Sequence, residues 1–243
     1  MRVLFVSDFT LEQRLGGAQV SNDLIIKKGR DLGHEIIEHD HTSSVVDFLS
    51  SYDLLVSSNL EAISRATPNS DFHISFFREN YGDYFKNVEI NYDPMNTEIF
   101  SEDNQENEYD IVYCGYLHPL KGVNNLIKYA AENPDRRIDI FGWGDGDIAS
   151  AFNDIVNVEF HGVKDYKEIA DIFKKSKAIY HHPIVNEPFC RMVAEALLCG
   201  VTEVIGAKEK IGSYLEFEKV GRQEFAKKCS EATQNFWNKV EKL

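Results

Sequence analysis

The sequence contains no long apolar run. No stretch approaches the roughly 20 apolar residues that a helix needs to cross a membrane. The apolar run at residues 3–6 is too short for the core of a signal peptide and is soon followed by polar residues. We therefore predict no transmembrane segment and expect a cytoplasmic protein, with peripheral contact to a membrane left open.

Cysteine is also scarce. The four cysteines are Cys114, Cys190, Cys199 and Cys229, and no two of them form a C-x-x-C pair. This spacing is typical of free thiols in a reducing compartment. His181 and His182 are adjacent, so on a strand they would point to opposite faces and could not simply share one metal ion. No cluster of metal ligands is recognisable, and we expect no metal site.

Basic residues are outnumbered by acidic ones. The chain has 26 lysines and arginines against 40 aspartates and glutamates, which gives a net charge of −14. An acidic chain repels nucleic-acid phosphates and anionic lipid on average. Short basic clusters such as Lys174, Lys175 and Lys177 are typical of solvated surface. The charge therefore argues against a nucleic acid as partner.

Short apolar runs alternate with segments of helical period, which predicts a parallel sheet covered by helices on both faces. In the first half we predict strands at residues 3–6, 34–38, 53–57, 73–77 and 88–91. A helix is predicted at about residues 18–32, with Gly33 in the position of a C-terminal cap. In the second half the predicted strands are residues 111–114, 138–141, 158–160, 178–181 and 203–205, and the predicted helices 123–131, 166–174 and 189–198.

The chain is expected to form two domains. Residues 98–110 are polar, acidic and aperiodic, as is typical of a linker. We predict an N-terminal domain over residues 1–97 and a C-terminal domain over residues 111–222. The last segment, residues 223–243, is predicted to be helical and is a candidate to pack back on the N-terminal domain through Phe236 and Trp237.

Two strand-to-helix loops of the second half carry residues suited to an anionic ligand. Open parallel sheets bind ligands beyond the carboxyl ends of their strands, so these loops are where functional residues are expected. Lys121 stands at the mouth of a predicted helix and could neutralise a phosphate. Gly142 and Gly144 would let the backbone approach a ligand closely. Each also has an ordinary structural interpretation, a solvated lysine or a tight turn.

A third loop leads into residues 186–200. Pro188 fits the first turn of a helix, where its missing N–H is not needed. The amides of Phe189 and Cys190 would then point outward as an anion site. Glu195 is a lone acid in an apolar helix, so it needs a partner. A position on a solvent-facing stripe or a pair with a buried arginine is the structural alternative to a ligand.

Together these loops resemble the retaining family 4 glycosyltransferases. That family's motif reads E-P-F-G, then E-A and C-G, with seven residues between its two glutamates, and Glu187 and Glu195 have this spacing. The other matches are Gly115, Leu117, Lys121 and Gly122 to the family's G-R-L…K-G element, Gly142 and Gly144 to its G-x-G, Gly16, Gly17, Ala18 and Gln19 to its G-G-A-E, and residues 96–100 to its D-T-E-L-F.

The resemblance implies the GT-B fold, an α/β architecture of two Rossmann-like domains, each a mostly parallel sheet flanked by helices. The N-terminal domain is reduced here. It also implies a transferase that moves a sugar, with retention, from a nucleotide sugar such as a UDP-sugar or GDP-sugar to an acceptor hydroxyl. No metal or other cofactor is implied. The acceptor, whether glycan, lipid or small molecule, is not specified by the sequence, and neither is the oligomeric state.

The resemblance further implies residue roles. Glu187 would hold hydroxyls of the donor sugar, Glu195 the ribose, and Lys121 the diphosphate. His73 is a candidate for the family's N-terminal catalytic histidine, with Arg78 beside it as a second candidate. The remaining candidates for the donor site are Gly16, Gly17, Gly115, Tyr116, Gly142, Gly144, Phe189 and Cys190.

Some residues depart from the family's pattern and keep other interpretations open. Tyr116 stands where the family usually has an arginine against the diphosphate, Cys190 replaces a glycine, and Gln19 replaces an acid. The alternatives are a non-catalytic subunit that binds a nucleotide sugar, and a nucleotide-sugar epimerase or hydrolase on the same fold.

Overall fold

The structure is a computed structural model of the chain. It describes residues 1–7, 11–12, 16–40, 53–58, 92–103, 105–144, 148, 150–152 and 154–242. The strands predicted at residues 73–77 and 88–91, together with His73 and Arg78, lie outside these ranges. The chain divides into two compact units, one formed by Met1–Met95 with Lys227–Leu243 and the other by Asn96–Ala226.

The described part of the first unit contains a parallel sheet of three strands in the order β2-β1-β3. The strands are β1 (Arg2–Ser7), β2 (Glu35–Asp40) and β3 (Leu54–Ser58), and helix α1 (Gly17–Asp31) connects β1 to β2. Gly33 follows the helix with a φ of +86°, and its N–H donates to the carbonyl of Arg30. A left-handed residue at this position favours glycine, so the predicted cap is confirmed.

The second unit is built on a sheet of five parallel strands in the order β6-β5-β4-β7-β8. The strands are β4 (Tyr109–Leu117), β5 (Ile138–Gly144), β6 (Val158–Gly162), β7 (Ser176–Tyr180) and β8 (Glu203–Ile205). The connecting helices are α2 (Val123–Glu132), α3 (Tyr166–Lys174) and α4 (Arg191–Leu198). Two further helices follow β8: α5 (Gly212–Val220), which was not predicted separately, and α6 (Arg222–Val240).

Local chemistry sets the start of α3, which begins at the predicted residue, Tyr166. The carboxylate of Asp165 accepts hydrogen bonds from the N–H groups of Lys167 and Glu168, and the Glu168 side chain accepts from the Asp165 N–H. This reciprocal capping box satisfies backbone donors that the first helical turn would otherwise leave unpaired. The helix ends at Lys174, directly before β7.

The segment predicted to be an interdomain linker, residues 98–110, differs from that expectation. It belongs to the second unit. Phe100 is 1% exposed, with its ring 4.7 Å from the Tyr166 ring in an edge-on arrangement. Tyr109 and Asp110 already belong to β4. Phe100 is a buried apolar side chain that anchors this stretch, whose acidic composition favoured the prediction of a linker.

Helix α6 supplies core residues to the first unit. Trp237 is fully buried among Val3, Phe5, Ile25 and Ile26, and its indole N–H donates to the carbonyl of Ile25 at 2.8 Å. This is the packing that the sequence suggested for the C-terminal segment. Within the described ranges, none of the helices combines the length and the apolarity that a membrane span requires.

Replacing Trp237 tests this packing. Trp237→Ala removes a fully buried indole and leaves a cavity, so we expect a loss of about 3–5 kcal/mol in the free energy of unfolding. Urea denaturation followed by circular dichroism measures it. Phe160→Ala, at a side chain that is 44% exposed, is the control and should change little. Equal effects of the two substitutions would contradict the assignment of Trp237 to the core.

Candidate active site

The loop after β4 carries Lys121 to the carboxyl end of the second sheet. Residues Pro119–Lys121 form a short 3-10 helix that His118 caps by accepting from the Leu120 N–H. Gly122 then adopts a φ of +84°, and a Cβ at this position would overlap the carbonyl oxygen of His182. Only glycine fits such a close approach. This contact brings the loop after β4 against the loop after β7.

Lys121 and Glu187 meet where these loops converge. The ammonium of Lys121 donates to Glu187 Oε1 at 2.8 Å. The Glu187 side chain is 8% exposed whereas that of Lys121 is 46% exposed, so the lysine approaches the buried carboxylate from the solvent side. The backbone of Glu187 is fixed on both sides, since its N–H donates to the Lys210 carbonyl and its C=O accepts from the Gly212 N–H.

His181 and Cys190 complete the cluster around Glu187. His181 Nε2 lies 3.2 Å from Glu187 Oε2 and 3.4 Å from Cys190 Sγ. All three side chains are buried. His181 Nδ1 has no hydrogen-bond partner in the described part of the chain. The sequence had suggested only that His181 and His182 face opposite ways, so this grouping was missed.

The cluster shifts the pKa values of its members. Burial by itself would raise the pKa of Glu187, but the hydrogen bond and charge of His181, with those of Lys121, outweigh it and lower the pKa to about 2. Burial opposes the charged form of His181, yet its contacts with Cys190 and Glu187 raise the imidazole pKa well above its usual range. Glu187 also raises the pKa of Lys121 against the effect of burial. Glu187 is therefore ionised and flanked by two cationic groups.

Glu195 belongs to a second buried cluster. Its Oε1 accepts from Arg191 at 3.0 Å and from the hydroxyl of Tyr166 at 2.9 Å, while Arg191 also donates to that hydroxyl at 2.8 Å. Glu195 and Arg191 are 6% and 7% exposed. Burial, and next the charge of Glu195, raise the pKa of Tyr166 above its usual range. The structure thus shows the pair with a buried arginine that the sequence left as an alternative to a ligand.

The anion site predicted from backbone N–H groups at the start of helix α4 is wrong in detail. Helix α4 begins at Arg191, not at Phe189, and Pro188 precedes it. The N–H of Cys190 donates to Ser213 Oγ at 3.2 Å, and that hydroxyl donates to the Cys190 carbonyl at 2.9 Å. The Phe189 ring stacks on Phe225 at 6.1 Å. Proline favoured the prediction of an early helix start, but the Ser213 hydroxyl holds residue 190 in an extended conformation instead.

Tyr116 contributes an aromatic surface at the ends of β4 and β5. Its ring lies 5.4 Å from the His118 ring and 5.7 Å from the Trp143 ring, both stacked. Gly142 faces Gly115 in the strand register, and a Cβ on Gly142 would overlap the Gly115 carbonyl. The predicted glycines therefore serve close packing of β4 against β5. Where the family has a guanidinium, this chain has stacked rings.

The predicted residues of the first unit are not part of the geometry described above. Gly16 caps α1 and Gly17 is its first residue, both in the first unit. His73, the predicted catalytic histidine, lies outside the described residues. Their proposed roles stay predictions.

The expectation that metal ligands do not cluster is wrong. His181, Glu187 and Cys190 bring one potential ligand atom each within 4.8 Å of one another, and Asp139, Glu159 and His161 form a second such group. The three members of each group are not adjacent in sequence, so spacing along the chain could not show that they lie together. The segment Asp145-Gly146-Asp147 also has the D-x-D pattern typical of metal-dependent glycosyltransferases, and it lies outside the described residues.

Residues 95–241, more than half of the chain, match the family model described as "Glycosyl transferases group 1". The chain belongs to this family of glycosyltransferases. The matched region contains the whole of the Lys121–Glu187 and Arg191–Glu195 geometry. A comparison with curated proteins gave no significant match.

Solved structures with the same fold include glycosyltransferases. The crystal structure of Anabaena Alr3699/HepE in complex with UDP-glucose has a TM-score of 0.71 at 15% identity, covering 100% of both chains. AviGT4, involved in avilamycin A biosynthesis, has a TM-score of 0.65 at 15% identity, covering 96% of this chain and 88% of that one. WaaG, involved in lipopolysaccharide biosynthesis, has a TM-score of 0.60 at 14% identity, covering 96% and 93%. The chain has the GT-B fold.

Sequence reasoning left a buried arginine open as the partner of Glu195 without identifying Arg191, and it missed Tyr166. Arg191 and Glu195 stand four residues apart on one helix, a spacing at which opposite charges meet, so this signal was present. Tyr166 comes from another helix, and only the fold brings it near.

Removing Arg191 tests the structural role of the second cluster. Arg191→Met leaves the Glu195 carboxylate buried without its cation, which typically costs about 3–5 kcal/mol. Lys128→Met is a matched control, because Lys128 and Glu132 form an exposed helical pair with the same spacing and should contribute less than about 1 kcal/mol. Urea denaturation of both variants measures the difference. A loss below about 1 kcal/mol for Arg191→Met would show that Arg191 is not needed to hold Glu195.

Proposed function

We propose that the chain transfers a sugar from a nucleoside-diphosphate sugar to an acceptor hydroxyl, with retention and without a metal ion in the turnover. The observation that carries this proposal is the Lys121–Glu187 pair, 2.8 Å apart at the carboxyl end of the second sheet. Ligands of open parallel sheets bind at this end. Membership of the glycosyltransferase family supports the reaction class.

Each charged side chain has a separate task in this proposal. Lys121 stabilises the negative charge that develops on the departing diphosphate, and an ammonium already in place needs little reorganisation. Glu187 holds hydroxyls of the donor sugar, and its fixed backbone limits its movement. Glu195 holds the ribose, positioned by Arg191 and Tyr166. The pairing of Lys121 with Glu187 keeps both side chains near their working positions before the donor arrives.

The donor is proposed to be a UDP-sugar or a GDP-sugar. One similar structure contains UDP-glucose and another UDP with glucose, which supports a UDP-sugar among the first donors to test. If the donor binds in the way that the family resemblance implies, its diphosphate lies beside Lys121 and its sugar beside Glu187. The acceptor is proposed to carry a free hydroxyl, as a glycan, a lipid or a small molecule does.

A non-catalytic nucleotide-sugar-binding subunit is the second candidate. It is favoured by Tyr116, whose ring stacks on His118 and Trp143 where the family usually has an arginine. A phenol can donate a hydrogen bond but carries no charge at neutral pH unless its pKa is strongly lowered. With one cation fewer, the departing diphosphate would be less stabilised.

Incubation with a panel of nucleotide sugars in EDTA separates these functions. A transferase releases free nucleoside diphosphate only with an acceptor, a hydrolase releases it without one, and a binding subunit releases none. We expect acceptor-dependent release that EDTA leaves intact. Binding is scored in parallel by thermal shift, where a ligand at one hundred times its Kd adds about 2.7 kcal/mol. Loss of turnover in EDTA that a divalent ion restores would refute the metal-free mechanism.

Lys121→Ala tests the cationic role directly. It should lower kcat/KM at least about tenfold, equivalent to 1.4 kcal/mol of transition-state stabilisation. Steady-state kinetics with a fixed acceptor measure this ratio. Lys128→Ala, an exposed lysine on the following helix, is the control and should leave kcat/KM unchanged. A folded Lys121→Ala protein that loses less than about threefold would show that another group stabilises the diphosphate.

A further inference from the structure

Cys190 has no task in the proposed transfer. The family pattern has glycine at this place, and the thiol here is 6% exposed. The direction of the Cys190 side chain is fixed by the backbone. Ser213 Oγ accepts from the N–H of Cys190 and donates to its carbonyl, which holds the Cα–Cβ vector in place. The thiol thereby lies 3.4 Å from His181 Nε2.

We propose that His181, Glu187 and Cys190 form a binding site for a thiophilic divalent cation, with Zn²⁺ as the preferred ion. The three residues offer one nitrogen, one oxygen and one sulfur ligand, all buried and within 4.8 Å of one another. Three protein ligands with an open fourth position are the composition of accessible zinc sites. On binding, the Cys190 thiol and the Nε2 of His181 each release a proton to solvent, so that a thiolate and a neutral imidazole coordinate the ion.

The spacing of the ligand atoms suits a tetrahedral ion. With metal–ligand bonds of about 2.0–2.3 Å, tetrahedral geometry places neighbouring ligand atoms about 3.3–3.6 Å apart. His181 Nε2 is 3.2 Å from Glu187 Oε2 and 3.4 Å from Cys190 Sγ. Two of the three separations therefore need only small changes. The third separation, between the ligand atoms of Glu187 and Cys190, is no more than 4.8 Å.

The surroundings permit the ion to enter. Lys121 contacts Glu187 Oε1, which leaves Oε2 facing His181. The lysine side chain is 46% exposed and can turn into solvent when a cation arrives. His181 Nδ1 bonds no described residue, so the ring can shift without breaking a hydrogen bond there.

The second cluster of potential ligands does not support a site of this kind. Arg137 donates to Asp139 Oδ1 at 2.8 Å and to Glu159 Oε2 at 2.9 Å. Its guanidinium remains charged at any ordinary pH, so the two carboxylates already have a cation. That group also lacks sulfur, and thiolate is the ligand that favours Zn²⁺ over Mg²⁺.

The site has a consequence that rests on the proposed function. An ion on Glu187 would take the carboxylate away from the donor sugar, so Zn²⁺ should inhibit transfer while Mg²⁺ does not. The metal would act as an inhibitor of an enzyme that needs none for turnover. Binding itself does not depend on this consequence, because it can be measured without any substrate.

Titration of the full chain with Co²⁺ tests the site by absorption spectroscopy. Thiolate bound to Co²⁺ gives a near-ultraviolet charge-transfer band, and tetrahedral Co²⁺ gives visible bands. We expect both bands to saturate at one equivalent and to disappear on addition of Zn²⁺. Absence of the charge-transfer band in the wild-type protein overturns the proposal.

Variants assign the ligands. Cys190→Gly, which restores the family's residue, and Cys190→Ser, which keeps the volume, should both abolish the charge-transfer band and weaken Zn²⁺ binding at least about tenfold. Cys199→Ala is the matched control, because Cys199 is an equally buried thiol at the far end of α4. A band that persists in both Cys190 variants, or is lost in Cys199→Ala, overturns the assignment.

Activity assays distinguish failure of the proposed transfer from failure of the proposed metal site. If the chain is a transferase, Zn²⁺ should inhibit the wild type and inhibit Cys190→Gly at least about tenfold less. If no transfer is detected, the Co²⁺ titration still decides whether the metal site exists. Cobalt binding without transfer would refute the proposed function alone, and transfer without cobalt binding would refute the metal site alone.

Discussion

The buried carboxylate of Glu187 is the constraint on which the candidate site depends. An ionised carboxylate that is 7% exposed is costly unless cations and donors compensate it. Lys121 from the loop after β4 and His181 from the end of β7 supply this compensation. Satisfying one buried charge therefore draws together two loops that are distant in sequence.

The backbone makes that convergence possible. Glycine at position 122 allows the loop after β4 to touch the carbonyl of His182, and a side chain there would push the loop away. The backbone of Glu187 pairs with residues 210 and 212 on the other side. The site thus stands on loops that follow parallel strands, and these backbone contacts fix the loops in place.

The two glutamates of the family's motif occupy different environments. Glu187 faces an exposed lysine and stands near solvent, whereas Glu195 is surrounded by Arg191 and Tyr166 on packed helices. The first can exchange partners with a ligand at low cost, since Lys121 can move. The second is held by groups that are themselves buried. A structural contribution of Glu195 is therefore present whether or not it also contacts a ribose.

Much of the second unit could be predicted from sequence, because its strands are apolar and β-branched and helix α3 begins with a capping box. The bounds of α3 and β8 coincide with the prediction, as Asp165 and Glu203 mark clear boundaries. The start of α4 was misplaced because Pro188 is a strong local signal, whereas Ser213, which holds residue 190, comes from a helix 23 residues away. The His181–Cys190 contact likewise depends on the meeting of two loops, which no local pattern records.

The proposed transfer requires the donor diphosphate to bind at Lys121, beside Glu187. A crystal structure of the protein with the nucleoside diphosphate that most raises its melting temperature tests this most directly. We predict that phosphate oxygens lie within hydrogen-bond distance of Lys121 Nζ, beyond the carboxyl ends of β4 and β5. A diphosphate bound elsewhere, with the 2.8 Å contact between Lys121 and Glu187 unchanged and no phosphate near it, would contradict the claim.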